Sequence, residues 1–314
     1  MILNAHHAAV ERRTLPPVDG HALTAYGVDN RVGEAPLWDA ARQCLWWVDI
    51  RAPELLRLDP ATDVVSRWRL HEPVGALALC DDGTLLLALR TQAWRFDPAT
   101  EALTLFTDVE LGKPGNRLNE GKVSPSGRWW LVGSMDDAPT DKQPAGALYR
   151  IDPVGQVQLL TDGLTVANGI AWSLDGQRLY FSDSFAGRIF QAEWDDAEGR
   201  MSAPRPFANS PDAAGRPDGA VVDAQGHYLS AGVSAGCLNR FAPDGRLLQT
   251  LALPCRAPTM PCFGGPDGQD LFITSLLRPE WPAPTDNAPR PDGQLYRLTA
   301  FGHGQPAALL RAGH

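Results

Sequence analysis

The sequence predicts an all-β fold, a six-bladed β-propeller with four-stranded antiparallel blades around a central axis. Three observations predict it. A turn followed by an apolar strand recurs along the chain, and a second strand pattern follows each copy. Amphipathic helical periodicity is scarce, with 27 Pro and 30 Gly interrupting most windows. A repeat of about 40–50 residues that carries several short strands is the signature of a propeller blade.

The elements follow in order. Residues 1–20 read as an N-terminal arm. HALTAYGV (21–28) is expected to join the last blade and close the ring, because an open ring leaves a bare sheet edge. The first unit holds WDAARQCLWWVDI (38–50), a copy with a degraded turn, and PELLRLDP (53–60). The second holds CDDGTLLLAL (80–89) and TQAWRFDP (91–98), and the third SPSGRWWLVGSM (124–135) and GALYRIDP (146–153). The fourth holds SLDGQRLYFSDS (173–184) and GRIFQAEW (187–194), and the fifth DAQGHYLSAGV (223–233) and GCLNRFAP (236–243). The sixth holds GPDGQDLFITSL (265–276) and GQLYRLTA (293–300). A small residue, apolar alternation and then Asp or Pro describe a strand that ends in a turn. The turn glycines Gly83, Gly127, Gly176, Gly226 and Gly268 are spaced by 44, 49, 50 and 42 residues. Residues 21–314 therefore read as one propeller domain without a linker.

Composition narrows the function classes. The net charge is −9, and three Lys accompany 25 Arg with no basic cluster. That balance argues against nucleic acid and anionic membrane as partners. No apolar run approaches the ~18–20 residues of a membrane span. The opening MILNAHHAAVERR has no basic-then-apolar signal pattern. The five cysteines are odd in number and contain no C-x-x-C pair. A cytoplasmic protein with free thiols is expected, and nothing implies an obligate protein partner.

Equal offsets in a repeat mean equal places in each blade. Eight residues before the turn glycines stand Gly75, Asn119, Asn168, Asp218 and Met260, and eight before Arg42 stands Glu34. One place repeated around a propeller makes a circle about its axis, so four of six positions on that circle bear oxygen. Buried, unpaired carboxylates are costly. A divalent cation neutralises two of them, and amide oxygens complete a shell suited to Ca²⁺, Mg²⁺ or Mn²⁺, with zinc also compatible. Glycines at Gly169 and Gly219, just after two of these residues, let backbone approach closely where blades crowd together.

The same residues carry a family resemblance. GEAPLWD (33–39) with LWWVDI (45–50), NRLNEGKVSPSGRWWLVGSM (116–135), ANGIAWSLDGQRLYFSDS (167–184), RPDGAVVDAQG (216–226) and CFGGPDGQDLFITS (262–275) resemble the SMP-30/gluconolactonase/regucalcin-like family of sugar lactonases. The resemblance spans about residues 30–300. It implies hydrolysis of a sugar lactone with one divalent ion, Ca²⁺ foremost, with Zn²⁺, Mg²⁺, Mn²⁺ or Fe²⁺ as alternatives. It puts the metal ligands at Glu34, Asn168 and Asp218 and the substrate contacts at Arg117 and Asn119. An acidic substrate contact falls on Asp136, or on Asp137 by a one-residue slip. The sequence departs from the family pattern at Ala35, where glycine is usual, at Glu120, where Asp is usual, and in GVSAGC (232–237).

Lactone hydrolysis needs a water nucleophile and stabilisation of a developing oxyanion, and a bound cation can serve both needs. Asp218 is expected to be both ligand and general base. Lys122 is expected to pair with Glu120. Two Pro- and Asp-rich loops, 136–146 and 277–293, are candidate lids. The rival readings are a phosphotriesterase- or paraoxonase-like hydrolase on the same metal site and a non-enzymatic calcium-binding propeller.

Overall fold

Short strands and tight turns fold the chain into six antiparallel sheets of four or five strands arranged as a ring, a six-bladed β-propeller. The computed structural model describes residues 1–282, 284 and 289–312. Among them there is one 3₁₀ turn, Asp212–Ala214, and no α-helix. Among the described residues no helix is long and apolar enough to cross a membrane.

The innermost strands of the blades are Gly33–Asp39, Val74–Leu79, Asn116–Val123, Ala167–Trp172, Pro217–Val222 and Pro258–Gly264. They touch one another from blade to blade and form the wall of the axis. In every blade the inner strand and its neighbour are buried along nearly their whole length, which is why they read as nearly continuous apolar runs such as Leu85–Leu89. The outer strands are more open: Leu247–Ala252 alternates partly buried or buried residues with exposed ones.

The chain's start closes the ring. His21–Tyr26 pairs antiparallel with Leu295–Leu298 of the sixth blade, with Leu23 opposite Leu298. The expected N-terminal arm carries two edge strands: Arg12–Val18 lies outside His21–Tyr26, and Ala5–Ala9 lies outside Val64–Arg69 of the first blade. One continuous stretch therefore ties the last blade to the first.

Aromatic side chains fill the seams between blades. Trp46 stacks on Trp68 at 5.4 Å, and Trp68 meets Phe96 of the next blade edge-on. Between the fourth and fifth blades Tyr180 packs on Tyr228 at 5.3 Å, with Phe207 and Phe241 beside them. Burying one such ring stabilises by about 1.5–3 kcal/mol. All five cysteines are buried and unpaired.

One irregularity recurs in every blade. Each inner strand slips register against its neighbour between Glu34/Leu37, Val74/Ala76, Leu118/Gly121, Asn168/Ala171, Pro217/Ala220 and Pro258/Pro261. These β-bulges fall at or beside the six equivalent positions, and a bulge re-aims a side chain out of the regular pleat.

Candidate active site

The bulges bring four of the six equivalent residues to one cavity of about 360 Å³ at the N-terminal ends of the inner strands. Glu34, Asn119, Asn168 and Asp218 all line it, and so does Arg117. Each is buried. Gly75 and Met260 do not line it; they pack against Leu118 and Gly219 respectively.

Hydrogen bonds join the polar residues into a chain that crosses blades. Arg117 Nε donates to Asp137 Oδ1 at 3.1 Å, and its Nη1 donates to Asn119 Oδ1 at 2.6 Å. Asn119 Nδ2 donates to Asn168 Oδ1 at 2.6 Å, and Asn168 Nδ2 donates to Asp218 Oδ1 at 2.5 Å and to Ser184 Oγ at 2.8 Å. Glu34 Oε2 accepts from the Ala35 N–H at 2.8 Å. Ala35 itself has φ +50°, the left-handed conformation that favours glycine, so the departure from the family pattern is accommodated at some strain.

Backbone geometry fixes Asn168. Gly169 has φ +65°, and a Cβ there would overlap the Tyr228 hydroxyl and Ser182 Oγ. Glu120, from the neighbouring inner strand, accepts from the Gly169 N–H and from the Ile170 N–H at 2.9 Å. Lys122 makes no ion pair with it within 4 Å, though each charge acts on the other; Lys122 Nζ donates to Ala220 O at 2.6 Å.

Burial sets the electrostatics of the cavity. Burial raises the Glu34 carboxyl from 4.5 to about 7. Burial, then the neighbouring charges of Glu34 and Glu120, raise Asp218 well above 3.8. Two carboxyls that resist ionising together are relieved by a divalent cation. The donor set suits such an ion: two carboxylates match its charge, and the Asn168 amide oxygen, which accepts from Asn119 Nδ2, would exchange that partner for the ion. Among the described residues no three His, Cys, Asp or Glu side chains cluster to hold a metal, so this set relies on an amide for its third oxygen.

Asp136 is placed elsewhere. Its carboxylate accepts from Ala138 N at 3.0 Å and Gln143 N at 2.8 Å, which ties up its own loop. Asp137 instead holds Arg117 and is braced by Arg51 at 2.6 Å. From the 136–146 loop, Pro139, Thr140, Asp141 and Lys142 line the cavity mouth. From the 277–293 loop Arg278 lines it; residues 283 and 285–288 of that loop lie outside the described residues. Sequence reasoning missed Ser184, Lys142, Arg216 and Arg278. Only Arg216 carried a signal, since it stands two residues before Asp218 as Arg117 stands two before Asn119.

Comparison with known proteins places this geometry. Residues 32–277 match the SMP-30/gluconolactonase/LRE-like region. The chain is 36% identical over 246 residues to 6-deoxy-6-sulfogluconolactonase of Pseudomonas putida, covering 78% of this chain and 83% of that protein. It is 31% identical to regucalcin of Xenopus laevis, covering 87% and 92%. Among solved structures it is similar to a calcium-binding regucalcin from Agrobacterium tumefaciens, with a TM-score of 0.82, 30% identity and coverage of 90% and 95%. The fold and these matches agree: the chain belongs to the SMP-30/gluconolactonase/LRE-like family.

Proposed function

We propose that this protein is a lactonase that opens a sugar lactone to its aldonic acid, with one divalent cation held by Glu34, Asn168 and Asp218. The single observation that carries the reading is the convergence of two buried carboxyls and two amides, from four blades, on one cavity. The named relatives support it: one is a sugar lactonase and another a calcium-binding regucalcin. When bound, the cation supplies Lewis acidity toward the lactone carbonyl and the attacking water, and Ca²⁺ is the first choice for an all-oxygen set.

The chain's own residues do the rest. Asp218 takes the proton of the attacking water, a task open to a carboxylate that a neighbouring cation keeps ionised. Water oxygen bonds to the carbonyl carbon, the ring C–O bond breaks, and Asp218 returns the proton to the leaving ring oxygen. Arg117, held by Asp137, presents donors to the sugar hydroxyls and the ring ester, and Asn119, whose Nδ2 donates to Ala167 O and Asn168 Oδ1, reaches substrate by exchanging one of these partners for it. Glu34 and Asn168 orient and hold. Asp136, expected to contact substrate, acts in this reading by shaping the 136–146 loop.

Hydrolysis of gluconolactone, measured with Ca²⁺ after chelation, tests the proposal. Asp218→Ala is expected to lower kcat/KM by about 10²-fold or more while keeping the melting transition. Unchanged hydrolysis contradicts the role given to Asp218. Metal-dependent turnover of an aryl phosphotriester in preference to every lactone favours the rival hydrolase.

A further inference from the structure

The cavity is more cationic than the molecule around it. The whole chain carries −9. Among the described lining residues are four cations, Arg117, Lys142, Arg216 and Arg278, against three acids, Glu34, Asp141 and Asp218. Glu34 and Asp218 belong to the cation site, and Arg117 is neutralised by Asp137 at 3.1 Å. Lys142, Arg216 and Arg278 then face the cavity with Asp141 as the one lining acid.

The repeat shows where this excess sits. Strand side chains two residues apart share a face. Two residues before each oxygen-bearing position stand Val32, Arg117, Val166 and Arg216, and all four line the cavity one layer above the ring. Arg216 on the fifth blade is therefore the structural counterpart of Arg117 on the third, with the fourth blade's Val166 between them. Unlike Arg117, Arg216 is exposed, and its guanidinium lies 5.3 Å from the centre of the Phe185 ring, which also lines the cavity. Lys142 comes from the opposite loop, where its ammonium donates to Asp136 O at 2.8 Å and Ala138 O at 2.5 Å, so it is fixed in place.

We infer that Arg216, with Lys142 and Arg278, forms an anion subsite, and that the preferred lactone carries a carboxylate, sulfonate or phosphate at the end remote from its ring ester. The inference rests on the lactonase reading of the same cavity. A neutral sugar gains only ordinary hydrogen bonds from the three cations, whereas an oxyanion gains stronger, charge-assisted ones from a guanidinium fork. The cation below the ring would polarise one end of the substrate while the upper layer holds the other, and this fixes orientation.

The test compares gluconolactone with its 6-carboxylate, 6-sulfonate and 6-phosphate counterparts on the Ca²⁺-loaded protein. The expected result is a kcat/KM at least about tenfold higher for one or more anionic lactones, carried mainly by KM, and eroded by ~0.5 M salt. Arg216→Gln is expected to lower the anionic-to-neutral ratio of kcat/KM about tenfold or more, and Arg216→Lys to restore part of it. The rank among the three anionic lactones identifies the oxyanion. Equal kcat/KM for neutral and anionic lactones overturns the inference and leaves the lactonase reading standing. So does an unchanged ratio in Arg216→Gln. Absence of turnover on every lactone overturns the lactonase reading. Calorimetric titration with gluconate and with its 6-carboxylate then decides the anion subsite without catalysis: tighter binding of the dianion, lost in Arg216→Gln, supports it, and equal binding overturns it.

Discussion

Glu34 and Asp218 bind protons more tightly in the folded chain than in water, because burial penalises their ionised forms. The folded state therefore holds more protons than the unfolded one above the usual carboxyl pKa of about 4. Stability of the chelated protein is expected to fall as pH rises from there through about 7, where Glu34 ionises. A cation held by the two carboxylates reverses that trend. Added Ca²⁺ should raise Tm more at about pH 8 than at about pH 5, by calorimetry in chelated buffer. Equal shifts at both pH values contradict a carboxylate-held ion. Asp218→Asn removes one of two repelling charges, so the chelated variant should melt no lower than the chelated wild type while losing the Ca²⁺-induced rise. The identity of these residues was legible in the sequence because the repeat put them at one offset. Their hydrogen-bond order was not, since Asn119 and Asn168 meet only after neighbouring blades dock.

At the scale of the element, the bulge is the device that matters. It lies in all six inner strands, and the sequence showed only its trace, the glycines Gly169 and Gly219 just after Asn168 and Asp218. In the fourth blade the bulge is held open by Gly169 and by Glu120 reaching over from the third. Gly169→Ala forces a Cβ into the Tyr228 hydroxyl and a left-handed φ on a residue that resists it. Unfolding in denaturant should show a loss of about 1–3 kcal/mol. Glu120→Gln keeps the shape but offers one acceptor oxygen to two N–H groups, and should weaken Ca²⁺ affinity about 10–100-fold in a titration followed by calorimetry. An unchanged affinity contradicts the view that Glu120 positions Asn168. The Asp136 expectation missed the local chemistry. Two adjacent aspartates at a strand end point to opposite sides, and a one-residue ambiguity decides which faces Arg117.

For the whole molecule, ring closure by residues 21–26 makes the axis a common centre, and the two edge strands before them blunt the outer edges of the sixth and first blades. Deleting residues 1–10 should lower Tm yet leave a cooperative transition and lactone hydrolysis, whereas deleting 1–27 removes the closing strand and should abolish cooperative melting. The blade count was readable because turn and strand motifs repeat in register. The cationic upper layer was not, because Lys142 and Arg278 come from loops with no repeat counterpart. The central claim is geometric: groups far apart in sequence, Glu34, Asn168 and Asp218, hold one ion between them. Equilibrium titration of the chelated protein with Ca²⁺ tests it most directly, run in parallel on Glu34→Gln, Asn168→Ala and Asp218→Asn. The account predicts one ion per chain in the wild type and affinity lowered at least about tenfold in each of the three folded variants. Wild-type affinity retained in any one of them contradicts it.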